Sequence, residues 1–147
     1  MDINQATVNE LEEVANLFNL YRMFYKQPSN IDGAREYIKE RFQNNDSIIF
    51  LATNNGKPVG FTQLYPTFSS VSMKKVWILN DLYVAQEGRN QGVATHLLQK
   101  AKEFALETGA IRLELSTAFD NNKAQRLYEK FGFKRESQFY RYELQLA

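Results

Sequence analysis

The stretch 76–95 constrains the fold more than any other part of the chain. It reads V-W-I-L-N-D-L-Y-V-A-Q-E-G-R-N-Q-G-V-A-T. The β-branched and aromatic residues of 76–84 predict a strand. A polar turn follows over 85–91, and a helix is predicted to open at Gly92. Apolar residues at 3.6-residue spacing support this helix: Val93, Leu97, Leu98, Ala101, Phe104 and Ala105.

The junction between this strand and this helix predicts a binding site for phosphate. The first N–H groups of a helix have no intrahelical acceptor, and they attract anions. Gly92 has no side chain to keep a diphosphate from the main chain. An ordinary strand-to-helix turn, in which Gly92 serves only the geometry, is the alternative. The chain contains neither G-x-G-x-x-G nor G-x-x-x-x-G-K-[ST], so dinucleotide and nucleoside-triphosphate chemistry lose their main support.

Two motifs in this region and downstream resemble one protein family. Arg89-x-x-Gly92-x-Ala94 resembles the [QR]-x-x-G-x-[GA] signature of the GNAT superfamily of acyl-CoA-dependent N-acetyltransferases, and it follows a strand ending in L-Y-V. Residues 121–133 resemble the family's N-x-x-A-x-x-L-Y-E-K-x-G-F block. Both occur in the expected order, and the resemblance covers nearly the whole chain. The I-L-N-D-L-Y-V wording is similar to the small histone- and polyamine-acetylating members.

Turn signals and hydrophobic periodicity predict a mixed order of helices and strands. The first half is predicted to contain an edge strand over 1–6, a helix from a Thr7 capping box to 26, a helix starting at Ser29, strands over 47–53 and 59–65 joined by Asn54-Asn55-Gly56, and a polar loop over 66–72. The second half is predicted to contain the strand and helix described above, the latter closed by Gly109, a strand over 111–116, a helix over 121–130 closed by Gly132, and a last strand over 139–146.

A helix crossing between the strands that end at 84 and begin at 111 implies one parallel pair in a mostly antiparallel sheet. We therefore predict an α/β (α+β) fold in a single domain, 1–147, since 147 residues suit one hydrophobic core. This plan agrees with the GNAT fold, in which the two central strands splay apart. The resemblance implies that the pantetheine arm of the cofactor enters the gap between them.

Composition excludes several classes of site and partner. The net charge of +1 removes the electrostatic case for a nucleic-acid binder. There is no cysteine, which excludes disulfides and thiolate ligands, and His96 alone cannot build a histidine-rich metal site. We therefore expect no metal. No apolar run approaches the ~20 residues of a membrane span, and the N-terminus lacks a secretion signal, so the expectation is a soluble, cytoplasmic protein.

The resemblance implies acetyl-CoA as cosubstrate and assigns residues to it. The backbone of Leu82, Tyr83 and Val84 would pair with the pantetheine arm like an extra strand, and the N–H of Leu82 would stabilise the oxyanion. The side chain of Arg89 would add a positive charge beside the pyrophosphate. The main-chain amides of the phosphate cradle would be those of Arg89, Asn90, Gln91, Gly92, Val93, Ala94 and Thr95.

Two further residues follow from the downstream motif. Asn121 matches the family position whose side chain contacts the cofactor arm. Tyr128 matches the tyrosine that serves as general acid to the departing sulfur, and its ordinary pKa of about 10 keeps it protonated as a donor. An aromatic residue that only packs beside the cofactor is the alternative for Tyr128.

The general base is less determined by the sequence. An amine with a pKa of about 10.4 is mostly protonated at neutral pH, so a proton must be removed. Polyamine-type relatives carry glutamate where this chain has Asn80, and an amide cannot take a proton. Asp81 would face the opposite side of a regular strand and reach the site only through a bulge. Glu114 is a second candidate. We predict a water relay polarised by Asn80 or Asp81.

The sequence thus predicts an acetyl-CoA-dependent N-acetyltransferase acting on a primary amine of a small molecule or protein by direct attack in a ternary complex. A non-catalytic acyl-CoA sensor and a purely structural interaction domain are the alternatives. The acceptor stays open among small amines, polyamines, amino-sugar antibiotics and protein amines. Segments 21–28 and 65–72 lack carboxylates, which argues against a highly charged polyamine. The resemblance also suggests a homodimer, formed through residues 139–146.

Overall fold

The computed structural model describes residues 1–147 and contains five strands and four α-helices. The chain forms two compact units, residues 1–116 and residues 117–147. In chain order the elements are β1 (Asp2–Gln5), α1 (Leu11–Phe24), α2 (Ile31–Asn44), β2 (Ile48–Asn54), β3 (Lys57–Ser69), β4 (Lys74–Val84), α3 (Val93–Glu107), β5 (Arg112–Glu114) and α4 (Asn122–Phe131).

The first unit is built on one sheet with the strand order β1-β2-β3-β4-β5. The three pairs from β1 to β4 are antiparallel, and β4 pairs with β5 in parallel. A parallel neighbour requires a crossover, which α3 supplies between β4 and β5. The predicted mixed sheet with one parallel pair is therefore confirmed.

Local capping signals define the first two helices. The Thr7–Glu10 capping box is present and opens a short 3₁₀ turn that leads into α1. The N-cap of α2 is Asn30, whose side chain accepts a hydrogen bond from the Gly33 N–H at 3.0 Å. The predicted start at Ser29 is one residue early, because the Ser29 hydroxyl accepts a hydrogen bond from the Asn19 side chain at 3.1 Å instead.

β3 is longer than the sequence predicted. It runs to Ser69, which pairs with Lys74 of β4, so the predicted polar loop over 66–72 is wrong. Pro66 lies inside the strand, opposite Trp77. It is tolerated because β2 begins at Ile48, opposite Leu64, so the part of β3 beyond Leu64 has no neighbouring strand on the β2 side.

Apolar side chains cover both faces of the sheet. On one face, called here the α1 face, α1 and α2 pack on the strands; its buried residues include Val14, Leu17, Phe18, Ala34, Ile38, Ile49, Leu51 and Phe61. On the opposite face, called the α3 face, Phe104 packs against Phe50 and Trp77 with ring centroids 5.6 and 5.1 Å apart. The predicted stripe of α3 is buried apart from half-buried Phe104, and the predicted C′ residue Gly109 has a φ of 76°.

The second unit contains α4, which begins after its N-cap Asn121 and ends at Gly132 as predicted. Residues 139–146 form no strand, although their alternating pattern predicted one. Alternation of apolar and polar residues indicates an extended segment with two different faces. A strand also needs backbone hydrogen bonds to a neighbouring strand, which the alternation does not predict. β5 is likewise shorter than the predicted 111–116. No helix is long and apolar enough to cross a membrane.

Candidate active site

The pairing between β4 and β5 ends well before β4 does. It joins only Val76, Trp77 and Ile78 to β5, whereas β4 continues to Val84. The last part of β4 is therefore bonded on the β3 side alone. This is the splayed strand pair that the sequence predicted, and it leaves an open backbone edge beside the start of the loop to α3.

The direction of the backbone groups on this open edge follows from one hydrogen bond. The N–H of Ala85 donates to the carbonyl oxygen of Val59, the residue before Gly60 of β3, at 2.8 Å. Because N–H and C=O groups alternate sides along a strand, those of Leu82 and Val84 point away from β3. The Val84 carbonyl accepts a hydrogen bond from the Nε of Arg89 at 3.1 Å. The N–H groups of both residues remain directed to the open side.

The first turn of α3 is uncapped. Its N-cap Gly92 has a φ of 77°, a left-handed conformation that favours glycine, and no side chain caps the helix. The first backbone hydrogen bond joins the His96 N–H to the Gly92 carbonyl oxygen at 3.1 Å. The N–H groups of Val93, Ala94 and Thr95 precede that bond and have no intrahelical acceptor. No acidic residue lies in this turn, so the positive end of the helix dipole is not neutralised.

The loop between β4 and α3 is held by its own side chains. Gln91 donates from Nε2 to the Glu87 carbonyl oxygen at 3.0 Å and accepts from the Asn54 side chain at 3.2 Å. Asn90 has a φ of 62°, a conformation that asparagine adopts more readily than most residues. These contacts fix the loop, so the amides at its end are pre-organised for an anion.

A β-bulge at Asn80 changes the face on which Asp81 lies. Gln63 is opposite Asp81 and Leu64 is opposite Leu79, so Asn80 has no partner on β3. In a regular strand Asp81 would share a face with Trp77, which packs on α3. Instead Asp81 lies on the α1 face, where it is hydrogen-bonded to Gln63 and to Tyr21 of α1. The bulge that the sequence argument required is therefore present.

The Asp81 carboxylate is buried and held by neutral donors. Its side chain accepts from Gln63 Nε2 at 2.7 Å and from Asn80 Nδ2 at 3.2 Å. Burial raises the pKa of Asp81, and the hydrogen bonds from Gln63, Tyr21 and Asn80 oppose that rise. Burial and the hydrogen bond to Tyr37 raise the pKa of nearby Tyr65, which keeps this phenol protonated at neutral pH. Asp81 thus has the environment of a carboxyl group whose protonation changes closer to neutrality.

The other predicted residues have simpler surroundings. Glu114 is exposed and forms an ion pair with Arg112 at 2.6 Å. In the second unit Asn121 accepts a hydrogen bond from the Ala124 N–H at 3.2 Å, so its side-chain oxygen caps α4. The ring of Tyr128 lies 5.9 Å from that of Phe133. The roles assigned to Asn121 and Tyr128 stay predictions.

Gln63 is the residue that the sequence argument missed. Its side chain is fully buried, with 0% exposure, in the centre of β3. A glutamine among apolar residues of a strand is a usable signal, because buried amides need specific partners. Its role as a partner of Asp81 depended on the bulge, which the sequence did not locate.

Comparisons with known proteins agree with this geometry. A sequence model of the acetyltransferase (GNAT) family matches residues 14–133. The chain belongs to this family. It is 46% identical over 142 residues to a Bacillus subtilis protein named uncharacterized N-acetyltransferase YhfO, covering 97% of this chain and 95% of that protein. The family places the chain among the N-acetyltransferases and among the acyltransferase enzymes.

Solved structures of GNAT acetyltransferases share the fold. The crystal structure of a probable acetyltransferase superposes with a TM-score of 0.95 at 46% identity, covering 100% of this chain and 99% of the other. An aminoglycoside N-acetyltransferase in complex with CoA superposes with a TM-score of 0.81 at 21% identity, covering 99% and 95% of the two chains. The second similarity is one of fold alone. No group of three or more His, Cys, Asp or Glu side chains is arranged to hold a metal ion.

Proposed function

We propose that this GNAT acetyltransferase moves the acetyl group of acetyl-CoA to a primary amine by direct attack within a ternary complex. One observation carries the proposal: the open edge of β4 is joined by the short loop 85–92 to the uncapped first turn of α3. An extended amide-containing arm and a diphosphate are the two features of acetyl-CoA that such a surface fits. The alternative, an acyl-CoA sensor, would use the same surface without turnover.

The donor half of the site is assigned to backbone groups. Leu82 and Val84 would pair with the pantetheine arm along the open edge, with the Leu82 N–H polarising the acyl oxygen. Tyr83 lies between them, and its backbone groups face β3. The amides from Arg89 to Thr95 would hold the pyrophosphate. Such donors are fixed before the substrate arrives, so no reorganisation is needed when charge develops. When bound, acetyl-CoA supplies an activated acyl carbon and a thiol leaving group.

The acceptor half is assigned to side chains on the α1 face. Asp81 would take the proton of the amine, directly or through a water that Asn80 orients. A raised pKa favours this role, because a base works best when its pKa approaches the working pH.

Asn121 would contact the cofactor arm, and Tyr128 would donate a proton to the departing sulfur. A homodimer and a cytoplasmic location remain predictions.

The decisive experiment compares two glycines that flank α3 in the same backbone conformation. Gly92 has a φ of 77° and Gly109 a φ of 76°, so Gly92→Glu and Gly109→Glu carry similar backbone strain. Only Gly92→Glu would place a carboxylate against the diphosphate. We expect calorimetric titration to show that Gly92→Glu loses acetyl-CoA binding, while Gly109→Glu keeps the dissociation constant within about twofold. Equal affinities in the two variants would contradict the cradle.

Turnover separates the enzyme from the sensor. An enzyme releases free CoA thiol continuously when an amine panel is added with acetyl-CoA. A sensor binds acetyl-CoA and releases none. The assay is therefore run on the same preparations as the titrations, so that binding and turnover are measured on the same folded protein.

A further inference from the structure

We propose that the acceptor is an amine with a single positive charge on an apolar or aromatic body, and that its ammonium group is the missing counter-ion of Asp81. This inference rests on the proposed function, because it concerns the acceptor half of the same site. Amines that carry a second positive charge would be poor acceptors. So would amines with a neighbouring carboxylate, which would lie close to the buried carboxylate of Asp81 and be repelled by it.

No cation donates a hydrogen bond to Asp81. Its three hydrogen-bond donors, Gln63, Asn80 and Tyr21, are all neutral, and only 4% of the residue is exposed. Burying an ionised carboxylate without a compensating charge is costly. A bound ammonium group would supply that charge, and Asp81 would in turn be ionised in the complex.

No arginine of the neighbouring helix replaces the missing cation. The guanidinium of Arg41 lies 4.7 Å from the centroid of the Tyr37 ring and within 3.4 Å of the Asp46 carboxylate. Tyr37 in turn hydrogen-bonds Tyr65 at 2.8 Å. Tyr65, whose pKa is raised by burial and by Asp81, is neutral. Arg35 pairs with Glu12 and Asp32, so both arginines of α2 are engaged away from the carboxylate.

A row of aromatic rings leads from Tyr21, which is hydrogen-bonded to Asp81, to the surface of the protein. Tyr21 packs edge-on against Tyr83 and Phe61, with centroids 6.2 and 5.9 Å apart. On its other side it contacts Tyr25 at 5.1 Å, and Tyr25 contacts Phe24 at 5.4 Å. Tyr25 and Phe24 are 49% and 59% exposed. Aromatic rings of this kind favour contact with an apolar part of the acceptor, and a ring face can attract its ammonium group.

The segment that contains Tyr21 carries only positive charge. Residues 18–28 contain Arg22 and Lys26 and no acidic residue. A second ammonium on the acceptor would find no carboxylate there. The surface near Asp81 therefore offers a carboxylate to one ammonium group of the acceptor and none to a second.

Gln63 makes the central variant testable without loss of folding. Its Oε1 is buried and has no hydrogen-bond partner, whereas its Nε2 donates to Asp81. In Asp81→Asn the Gln63 amide can turn over, so that Oε1 accepts from the new amide N–H. The variant therefore keeps the size of the side chain and its hydrogen bond to Gln63, and it removes the charge.

The experiment uses two matched pairs of acceptors. Butylamine and 1,4-diaminobutane differ by one ammonium group, and phenylethylamine and phenylalanine differ by one carboxylate. We expect phenylethylamine and butylamine to exceed their partners in kcat/KM by about tenfold or more. Higher kcat/KM for 1,4-diaminobutane than for butylamine, or for phenylalanine than for phenylethylamine, would overturn the inference.

Equilibrium binding isolates the role of the charge from catalysis. Phenylethylamine is titrated calorimetrically into the CoA complex of the wild type, Asp81→Asn and Asp2→Asn. Asp81→Asn should weaken binding about tenfold or more, while loss of the exposed Asp2 carboxylate on β1 should not. Equal affinity in wild type and Asp81→Asn, or no amine binding to a formed CoA complex, rejects this inference. Failure of CoA itself to bind rejects the proposed function instead.

Discussion

The burial of the Asp81 carboxylate opposes the stability of the fold. The carboxylate is buried among aromatic rings, and burial raises its pKa in the folded protein. An ionised group in such a position destabilises the native state relative to the unfolded chain, where water solvates it. Burial of this carboxylate thus costs folding free energy, as would be expected of the reactive group that we propose.

The pH dependence of stability should reveal this cost. An acid with a raised native pKa binds its proton more tightly when folded, so stability falls as the pH rises from the unfolded value near 3.8 toward the native pKa. We expect Asp81→Asn to have a higher Tm than the wild type at pH 7. The two Tm values should converge near pH 3, where Asp81 is protonated in both states. A lower Tm for Asp81→Asn at pH 7 would contradict this account.

At the scale of elements, the site depends on how closely α3 approaches the sheet. A Cβ on Gly60 of β3 would lie 2.8 Å from the Tyr83 carbonyl oxygen and 3.1 Å from Cγ1 of Val93. Gly60 therefore allows the first turn of α3, whose amides are proposed to hold the pyrophosphate, to pack against β3 beside β4. Because Gly60 contacts both Tyr83 of β4 and Val93 of α3, a change in the pairing of β3 with β4 would also shift the first turn of α3.

Gly60→Ala tests that coupling. The added methyl must displace backbone on one side and α3 on the other, and overpacking of this kind costs about 1–3 kcal/mol. Urea unfolding should show this loss, and calorimetry should show weaker acetyl-CoA binding. Ser69→Thr, which adds one methyl at the far end of the same strand, should change stability by less than about 0.5 kcal/mol. Equal stability of the two variants would show that α3 has room to move.

For the whole molecule, binding of acetyl-CoA should appear as thermal stabilisation. A ligand that binds only the folded state adds about 2.7 kcal/mol at 100 times its dissociation constant. For a chain of 147 residues this corresponds to a Tm increase of about 5–10 °C. Differential scanning calorimetry should show that increase in the wild type and in Gly109→Glu, and no increase in Gly92→Glu. An unchanged Tm of the wild type would reject the cosubstrate.

Features with local causes could be predicted from the sequence. The Thr7 capping box, the stripe of α3 and the glycines at 92, 109 and 132 each act within a few residues. The same holds for the strand–loop–helix order that makes β4 and β5 parallel. Helix caps, periodicity and turn conformation are set by neighbouring residues, so the chain contains the information wherever it is folded.

Only the tertiary structure determined the features that depend on pairing between distant strands. The bulge at Asn80, the extension of β3 through Pro66 and the contact between Gln63 and Asp81 all depend on which residue lies opposite which. A shift of one residue in that register reverses every side chain that follows, and no local pattern in β4 marks where it occurs. The sequence therefore predicted Asp81 as a candidate base and the amides at the start of α3 as a phosphate site. Only the folded sheet determined that Asp81 lies on the α1 face. The reason is that the bulge and the hydrogen bond to Gln63 depend on how β3 pairs with β4, and those residues are far apart in the chain.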